Sequence, residues 1–371
     1  MPSQLTIQQI ELYKISIPLT EPFVISLGPI YSAENLLVII RTKEGLVGFG
    51  ECSPFMSING ESADTCMVVG GYFARLLKNK NALDISSHIE AMDKLIYSNT
   101  SIKSAFDMAL YDLASQHAGL PLYKFLGGKN NKTIVTDYTV SIGEPAQMAV
   151  DAQRIQAQGY PSIKIKVGKH GPTDVERIRQ IREAVGPTIP LRIDANQGWL
   201  FDEAVETLNA MAVYRIEHCE EPIPRWAILD LPKLRELSPI PIMSDESCGD
   251  DHDAERLIRL KACDYMNIKL GKSGGIFKAL KMVRMAEDAG VPLQVGAFME
   301  SRLAMTAFAH FSLCSPIIRH YDFDTALMFS SDPVTGGIVY EKNGVISVPE
   351  GNGLGASMSP AALEGFDKVV Y

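Results

Sequence analysis

Hydrophobic and polar positions along the first part of the chain alternate as they do in β-strands. The alternating runs are LTIQQIELYKISI and NLLVIIRTKEGLVGFGE, and the second contains a hairpin turn signal at residues 43–45. Apolar residues then recur at helical spacing in VVGGYFARLLKN and SIKSAFDMALYDLASQHAG, and the second helix is predicted to end at Gly119. Strands followed by helices predict an α+β domain over residues 1–130.

From about Thr133 the pattern changes to short β-branched runs that alternate with amphipathic helical stretches. The strand candidates are TIVTDYTVSI, PSIKIKVG, PLRIDAN, YRIEHCEEP, IPIMSDES, YMNIKLGKSGG, PLQVGAFMES and RHYDFDT. They recur roughly every 25 residues, which is a normal size for a βα repeat. The predicted fold is α/β: a modified TIM-type (β/α) barrel over residues 131–330 with an α+β N-terminal capping domain. Residues 331–371 break the alternation, and we expect them to return and complete the capping domain.

The composition and charge of the chain exclude several classes of protein. With 46% hydrophobic and 21% charged residues, the chain has the profile of a well-cored globular protein rather than a disordered one. A net charge of -9 without a Lys/Arg cluster argues against a nucleic-acid or anionic-membrane partner. The first residues lack a basic start and a long apolar run, so we expect a cytoplasmic protein, and we expect it to form a homo-oligomer.

The six cysteines are scattered along the chain. They form no CxxC pair and have no histidine partner at zinc spacing, so free buried thiols in a reducing compartment are expected rather than a disulfide framework.

Charged residues occupy the same place in five consecutive barrel repeats. The apolar strands end in Lys166, Asp194, Glu220, Asp245 and Lys269, at steps of 28, 26, 25 and 24 residues. Because the carboxyl ends of barrel strands converge on the face where barrel enzymes build their active sites, these side chains are predicted to meet. Any one such acid has a simpler interpretation as a helix cap or a turn residue.

The three acids on successive strands predict a metal site. Asp194, Glu220 and Asp245 would repel one another at close range unless a cation lay between them. Carboxylate oxygens suit a hard divalent ion, and one Mg²⁺ per chain is the first choice. No histidine lies at these strand ends, which counts against zinc.

Lysines flank this acidic triplet on both sides. Lys166 and Lys269 are predicted to face each other across a bound carboxylate, where burial and cationic neighbours lower a lysine pKa. One lysine then serves as a neutral base while the other serves as an ammonium acid. Removing the proton next to a carboxylate creates an enediolate, which a nearby cation stabilises, and bases on opposite faces permit inversion.

A third lysine, Lys164, precedes Lys166 by two residues and therefore points to the same side of its strand, into the barrel mouth. A buried lysine without a partner is costly, which favours contact with a substrate carboxylate and a role in stabilising the enediolate. The alternative, an exposed edge strand with surface lysines, is disfavoured because Ile163, Ile165 and Val167 make the other face apolar.

These motifs resemble the enolase superfamily, and specifically its muconate lactonizing enzyme subgroup. The matching features are KxK at Lys164, DAN at Asp194, EEP at Glu220, SDES at Asp245, NIKLGKSGG around Lys269 and the segment DMALYDLASQHAGLPLYKFLGG. The resemblance implies that the three acids bind Mg²⁺ and that lysines on opposite faces act as acid and base. One departure is Glu221, where the family usually has Gln; this extra acid is expected to face solvent.

The subgroup contains cycloisomerases, o-succinylbenzoate synthases, N-acylamino acid racemases and dipeptide epimerases, so the resemblance leaves the reaction open. The last strand carries Asp322 and Asp324, both predicted to face the barrel mouth, where paired carboxylates suit a cationic group. This pair is similar to the one by which dipeptide epimerases hold the substrate's amino terminus, whereas muconate and succinylbenzoate have no ammonium. The simpler interpretation is one capping and one solvated aspartate.

The sequence therefore predicts an isomerase, a dipeptide epimerase that inverts the carbon bearing the free carboxylate. The alternatives are an N-acylamino acid racemase, an o-succinylbenzoate synthase or a cycloisomerase of the same subgroup. From other classes, a non-catalytic ligand-binding barrel and a metal-dependent hydrolase also stay open.

Further candidates line the predicted mouth. Thr139 ends the first barrel strand, where its hydroxyl is expected to reach the substrate. Gly296 and Ala297 are small and are expected to leave room for an extended peptide, while Glu300 is expected to orient Lys269.

Side-chain specificity is expected to come from capping-domain loops near FVISLGPI and SPFMSINGES. By resemblance, epimerases acting on L-Ala-D/L-Glu carry an arginine in the first of these loops, where this chain has Gly28. We therefore expect L-Ala-Xaa-type dipeptides with an apolar second residue rather than Glu.

Overall fold

The capping domain is built on a long antiparallel hairpin. The computed structural model describes residues 4–371. The strands are β1 (Ile7–Ile25), β2 (Gly28–Thr42) and β3 (Val47–Cys52). β1 pairs with β2 from Ile7 to Ile25, and the turn between β2 and β3 lies at residues 43–45, as the sequence predicts. The far end of the hairpin projects toward the barrel, where Leu19 bridges Phe329.

Helices cover one face of this sheet. They are α1 (Ala63–Leu77), α2 (Ile85–Leu95), α3 (Thr100–Ala118) and the short α4 (Leu122–Phe125). α3 ends at Gly119, which has a φ of 69°, as predicted. It packs closely on β3 because glycines face it there: a Cβ on Gly50 would lie 1.9 Å from the Ala105 carbonyl oxygen.

The second part of the molecule is a parallel sheet of eight strands in chain order, curled into a barrel. After β4 (Ile134–Val135), its strands are β5 (Tyr138–Val140), β6 (Ile163–Lys166), β7 (Leu191–Asp194), β8 (Ile216–Glu220), β9 (Ile242–Ser244), β10 (Tyr265–Ile268), β11 (Leu293–Val295) and β12 (Ile318–Tyr321). The two edges meet where the Asp137 N–H donates to the Tyr321 carbonyl at 3.4 Å.

Helices connect successive barrel strands. They are α5 (Pro145–Ala157), α6 (Gly171–Val185), α7 (Phe201–Met211), α8 (Leu231–Leu237), α9 (Asp251–Leu260), the short α10 (Leu270–Ser273), α11 (Ile276–Ala289) and α12 (Arg302–Ser312). A 3₁₀ helix, Thr325–Met328, follows β12 where a regular barrel has its last α-helix. The predicted modified (β/α) barrel with a capping domain is confirmed.

The remaining residues pair with both parts of the molecule. They form β13 (Val334–Gly336), β14 (Val339–Tyr340), β15 (Val345–Ser347), β16 (Ala356–Met358) and β17 (Lys368–Val370). β17 joins the capping sheet beside β1, whereas β15 pairs with β4, just before the first barrel strand. The last segment of the chain therefore links the capping sheet to the barrel.

The cysteines are free thiols, as predicted; Cys314 is half-buried and the others are buried. Among residues 4–371, no helix has the length and apolar character needed to span a membrane.

His310 on α12 makes the stability of the fold depend on pH. Its Nδ1 accepts the Tyr123 N–H at 3.2 Å, so Nε2 carries the proton that it donates to the Leu354 carbonyl at 3.1 Å. Burial lowers the pKa of His310 from 6.5 to about 4. Between these pH values the unfolded chain binds a proton that the folded chain does not, so stability present above pH 6.5 is lost as pH falls. The full loss is about 3 kcal/mol.

We expect His310→Gln to flatten this dependence, because a glutamine amide offers an acceptor and a donor but does not titrate. Urea unfolding at pH 7 and pH 4.5 measures the difference in the free energy of unfolding. His252→Gln, at an exposed position, is the matched control and should keep the wild-type slope. Equal slopes for His310→Gln and the wild type would contradict the assignment.

Candidate active site

Five charged side chains meet at the carboxyl end of the barrel. Lys166, Asp194 and Glu220 are the last residues of β6, β7 and β8, and they are register partners across these strands. Asp245 and Lys269 directly follow β9 and β10. All are buried, so the structure brings together the side chains that the strand repeat singles out.

The outer lysines of this row each contact a carboxylate. Lys166 Nζ lies 2.6 Å from Asp194 Oδ2 and 3.1 Å from Asn196 Oδ1. On the other side of the mouth, Lys269 Nζ lies 2.7 Å from Asp245 Oδ2. β6 and β10 are four strands apart in the eight-stranded sheet, so the two ammonium groups approach the mouth from opposite sides.

Lys164 occupies the centre of the mouth. Its Nζ lies 2.7 Å from Asp322 Oδ2, 2.8 Å from Glu220 Oε2 and 3.2 Å from Asp194 Oδ2. Both Lys164 and Lys166 therefore reach the same carboxylate, which confirms that they point to one side of β6. The flanking Ile163, Ile165 and Val167 are fully buried on the other side.

The charges in the mouth shift one another's pKa values strongly. Burial raises the pKa of Asp194, but Lys166 and Lys164 outweigh burial and hold it at about 2. Burial, and then the charge of Asp194, raise the pKa of Glu220 to about 7. Burial lowers the pKa of Lys269, but the charges of Asp245 and Glu220 outweigh burial and raise it above its ordinary value.

The acids of the mouth oppose the expected lowering of a lysine pKa. Burial does oppose the charged form of Lys164, yet Asp322, Glu220 and Asp194 raise its pKa well above the usual range. The expectation assumed a cation among the carboxylates. In the mouth the carboxylates and the lysine ammonium groups are one another's counter-ions.

The donor set of the acidic triplet suits a hard divalent cation. Across residues 4–371, no group of His, Cys, Asp or Glu side chains is close enough to form a ready metal cage, because lysines lie between the acids. Glu246 Oε2, on the residue after Asp245, is nevertheless buried without a hydrogen bond. A buried carboxylate oxygen without a donor, and a Glu220 whose pKa is raised by burial and by neighbouring carboxylates, fit a bound cation.

Sequence reasoning missed several polar side chains that touch this row, among them Lys272 and Asn196. Lys272 donates to the Asp245 carboxylate and main-chain carbonyl and to the Asn267 carbonyl, the last at 3.0 Å. It comes back to Asp245 because α10 makes one helical turn directly after β10. Asn196 donates its main-chain N–H to Asp194 Oδ1 at 2.9 Å, in addition to contacting Lys166. The NIKLGKSGG and DAN motifs contain both residues, but neither stands at the repeating strand-end position.

Asp322 and Asp324 lie at the opposite side of the mouth from the acidic triplet. Asp322 pairs with Lys164, while Asp324 Oδ2 accepts the Thr139 main-chain N–H at 2.7 Å. Asp324 Oδ1 is buried without a hydrogen-bond partner. Burial, and then the charges of Asp322 and Asp137, raise the pKa of Asp324 well above its ordinary value. An incoming cation would relieve both the missing hydrogen bond and this repulsion.

Two protein families match the chain and together cover most of its length. Residues 147–362 match the family described as enolase C-terminal domain-like. Residues 9–127 match the mandelate racemase / muconate lactonizing enzyme N-terminal domain. The chain belongs to the enolase superfamily. The membership inferred from the motifs is confirmed.

Relatives within the enolase superfamily are named for dipeptide chemistry. The D-Ala-D/L-Ala epimerase of Cytophaga hutchinsonii is 56% identical over 98% of this chain and 99% of its own. The L-Ala-D/L-Glu epimerase of Bacillus subtilis is 40% identical over 96% of this chain and 98% of its own. A solved structure of the Cytophaga hutchinsonii dipeptide epimerase, complexed with Mg and D-Ala-L-Val, has a TM-score of 0.98 at 56% identity and covers 98% of this chain and 99% of that one.

Glu221, which departs from the superfamily's usual glutamine, does not face solvent, so that expectation is wrong. It is 1% exposed, and its Oε2 accepts the N–H groups of Asp245 at 2.7 Å and Ser247 at 3.2 Å. Its Oε1 accepts the Ser247 hydroxyl. Glu221 therefore fixes the backbone that presents Asp245. Burial raises its pKa to about 7.

Two residues of the loop after β11 make contacts other than those expected. Glu300 does not turn to Lys269; its Oε2 accepts the Phe298 N–H at 2.6 Å, and the Phe298 ring centroid lies 4.8 Å from Lys269 Nζ. Gly296 leaves room for Asn267 rather than for a peptide, because a Cβ there would lie 2.8 Å from the Asn267 amide. Ala297, as expected, lines the active-site cavity.

The cavity between barrel and cap is small and has one apolar wall. Its volume is about 40 Å³, which holds only a few water molecules. The barrel supplies the polar floor, whereas Phe23, Ile25, Ile30, Phe55 and Phe298 form the apolar side. A dipeptide therefore requires these walls to move apart.

A larger cavity, of about 520 Å³, adjoins the active-site cavity and shares Ile25, Ile30 and Phe55 with it. Gly28 lines the larger cavity, and a Cβ there would meet no atom within 4 Å. Space for a substrate side chain is thus available beyond the apolar wall.

Proposed function

We propose that this chain is a Mg²⁺-dependent dipeptide epimerase that inverts the C-terminal α-carbon by proton transfer between two lysines. One observation carries the proposal: the circular order of charges around the barrel mouth. The acidic triplet is centred on β8, the aspartate pair follows β12, and Lys166 and Lys269 stand between them on β6 and β10. A ligand with an anionic end, a cationic end and a reactive carbon between them matches this order.

A dipeptide has the required charges and length. Two extended residues span about 7 Å between the ammonium and the carboxylate. Asp322 and Asp324 hold the ammonium, with Thr139 positioning Asp324 through its main-chain N–H, and Ala297 lines the peptide's path. The C-terminal α-carbon then lies next to the carboxylate end, between the lysines.

Asp194, Glu220 and Asp245 are the ligands that would hold one Mg²⁺. When bound, the ion supplies positive charge that stabilises the negative charge developing on the substrate carboxylate. With the acids held by that ion, Lys164 and Lys269 would no longer be their counter-ions, and the pairs that raise the pKa values of these two lysines would be weakened.

The lysines carry the proton in either direction. One of Lys166 and Lys269, in its neutral form, takes the α-proton, and the other, as an ammonium, returns a proton to the opposite face. After one turnover the two have exchanged protonation states, and the reverse reaction uses them in reverse order. Lys164, at the centre of the mouth, stabilises the enediolate.

The residues that line the two adjoining cavities favour a dipeptide whose second residue is apolar. No arginine stands at Gly28, and Ile25, Ile30 and Phe55 line the side of the cavity that opens beyond it. The dipeptide in the solved structure of the Cytophaga hutchinsonii relative, D-Ala-L-Val, has an apolar second residue and a first residue of D configuration. We expected L-Ala-Xaa-type substrates, and a test panel therefore includes both configurations of the first alanine.

Mg²⁺ binding should be measurable without catalysis. We expect Mg²⁺ to raise the melting temperature of the protein, since an ion at 100 times its dissociation constant adds about 2.7 kcal/mol of stability. A chelator should abolish activity and Mg²⁺ should restore it. Glu220→Gln should lose the thermal shift, whereas Glu217→Gln, on the same strand but paired with Arg192, should keep it. A full shift with Glu220→Gln would contradict the ligand assignment.

A library of dipeptides in D₂O with Mg²⁺ tests the activity. Mass spectrometry should detect one deuterium in Ala-Xaa dipeptides with an apolar second residue, and chiral chromatography should detect the second epimer. Exchange confined to N-succinyl amino acids would favour the N-acylamino acid racemase alternative instead. Cleaved dipeptide would indicate a hydrolase.

We also propose that residues 1–130 with 331–371 form the capping domain and residues 131–330 the catalytic barrel, supported by the pairing of β17 with β1. A cytoplasmic location and a homo-oligomer stay expectations, the first of them supported by the free cysteines.

A further inference from the structure

Phe23 lies near the end of β1, where the capping hairpin meets the barrel mouth. Its side chain is buried, and its ring centroid is 5.8 Å from Lys166 Nζ. The next residue is anchored to the barrel: the Val24 N–H donates to Ser141 Oγ at 3.3 Å, and the Val24 carbonyl accepts the Ile142 N–H at 2.9 Å. The backbone that carries the Phe23 ring is therefore held against the barrel.

Phe23 and Thr139 line two cavities at once and so form a partition between them. One is the active-site cavity, and the other, of about 240 Å³, lies between the end of β1 and the start of α5. Asp324 is on the active-site side, bonded to the Thr139 N–H. In an amino acid the first side-chain carbon is two bonds from the ammonium. An ammonium held at Asp324 therefore brings the first residue's side chain next to the partition.

The side cavity has mixed apolar and polar walls and a charged rim. Its apolar residues include Pro22, Val24, Val140, Ile142, Met148 and Met328, and its polar residues include Thr20, Ser141 and Gln147. At the rim, Arg154 Nη2 lies 3.2 Å from Asp151 Oδ1, and Arg154 Nη1 lies 4.0 Å from Glu21 Oε1. Two carboxylates against one guanidinium leave a net negative charge. An aliphatic chain that ends in a cation, such as a lysine side chain, matches both features.

We propose that Phe23 is the residue that restricts the substrate's first position to alanine, and that the cavity behind it accepts long, cationic first-residue side chains once the Phe23 ring is removed. This inference rests on the proposed function, because it assumes a dipeptide with its ammonium at Asp324. Opening the partition merges the side cavity with the active-site cavity, so that a first-residue side chain enters it without displacing the reacting carbon.

The test compares first residues while the second stays fixed. For wild type and Phe23→Ala, kcat/KM is measured on Ala-Ala, norleucyl-Ala and Lys-Ala, each in both configurations of the first residue. Phe23→Ala is expected to raise the ratios of norleucyl-Ala and Lys-Ala to Ala-Ala by about tenfold or more, the effect of relieving a clash of a few methylenes. Adding Asp151→Asn should reduce the gain for Lys-Ala and leave that for norleucyl-Ala.

Ile30→Ala is the matched control, because Ile30 lines the active-site cavity but not the side cavity. It should change the preference for the second residue and leave the first-residue ratios at wild-type values. Phe23→Leu, which keeps an apolar side chain, should give a smaller rise of the same sign and covers the case in which Phe23→Ala fails to fold.

Different results would overturn the role of Phe23 and the proposed epimerase function. Unchanged first-residue ratios in folded Phe23 variants, with the wild type active on Ala-Ala, would overturn the partition and leave the proposed function standing. A wild type that acts on no dipeptide overturns both.

Discussion

Lys166→Met and Lys269→Met should each strongly slow epimerisation while leaving solvent exchange of the α-proton in one epimer. The two lysines approach the mouth from opposite sides, on β6 and β10, so each reaches only one face of the α-carbon. With one lysine removed, the other still takes and returns the proton on its own face. The removed acid or base should cost a factor of about 10²–10⁴ in epimerisation.

Proton NMR in D₂O, starting from each epimer separately, measures which epimer each variant exchanges. Lys166→Met should exchange one epimer and Lys269→Met the other. Lys103→Met is the matched control, since Lys103 is also buried and ion-paired, with Asp93 at 2.9 Å, but lies in the capping domain. It should keep epimerisation. Loss of exchange for both epimers in both folded variants would mean that the lysines do not divide the faces.

Asp324→Asn should selectively lose substrates with a free ammonium. The amide oxygen still accepts the Thr139 N–H, but the side chain no longer offers a negative charge to the ammonium. Removing one partner of a buried charge pair costs about 2–5 kcal/mol, so kcat/KM for dipeptides should fall roughly 30-fold or more. The measurement is kcat/KM on Ala-Xaa and on its N-acetylated form with wild type and variant.

The N-acetylated dipeptide is the internal control, because it has no ammonium to lose. Its kcat/KM should change little, so that the ratio between the two substrates collapses in Asp324→Asn. An equal loss on both substrates would point to a structural role for Asp324 and remove the main support for a dipeptide substrate.

The barrel and the row of charged side chains could be predicted because the same pattern recurs along the chain, so that each repeat gives the same signal. Lys166, Asp194, Glu220, Asp245 and Lys269 each follow an apolar strand at nearly equal spacing. A parallel barrel has its strand ends on one face, so similar positions along the chain become neighbours in space. The position of Lys164 follows from strand alternation by the same logic.

The contacts around this row could not be predicted, because they depend on local geometry that no period encodes. Lys272 reaches Asp245 through one helical turn, and Glu221 turns inward because its backbone has a φ of 35°. Glu300 takes the nearer Phe298 amide rather than Lys269. Each of these contacts would be lost if the side chain were displaced by a few ångströms, and the spacing of residues along the chain does not specify position that finely.

The protonation states of the acids and lysines at the site also could not be predicted from the sequence. Strand-end positions indicate that acids and lysines meet, but the direction of a pKa shift depends on which counter-ion lies closest. Asp245 and Glu220 raise the pKa of Lys269 above its ordinary value although burial lowers it, a balance that the strand-end position does not specify.

The most direct test of the central claim is to follow one epimer of an Ala-Xaa dipeptide by NMR in D₂O with wild-type protein and Mg²⁺. We expect the newly formed epimer to carry deuterium at its C-terminal α-carbon while the N-terminal α-carbon keeps its proton. Deuterium at the N-terminal α-carbon, or epimerisation without solvent deuterium in the product, would contradict proton transfer between Lys166 and Lys269.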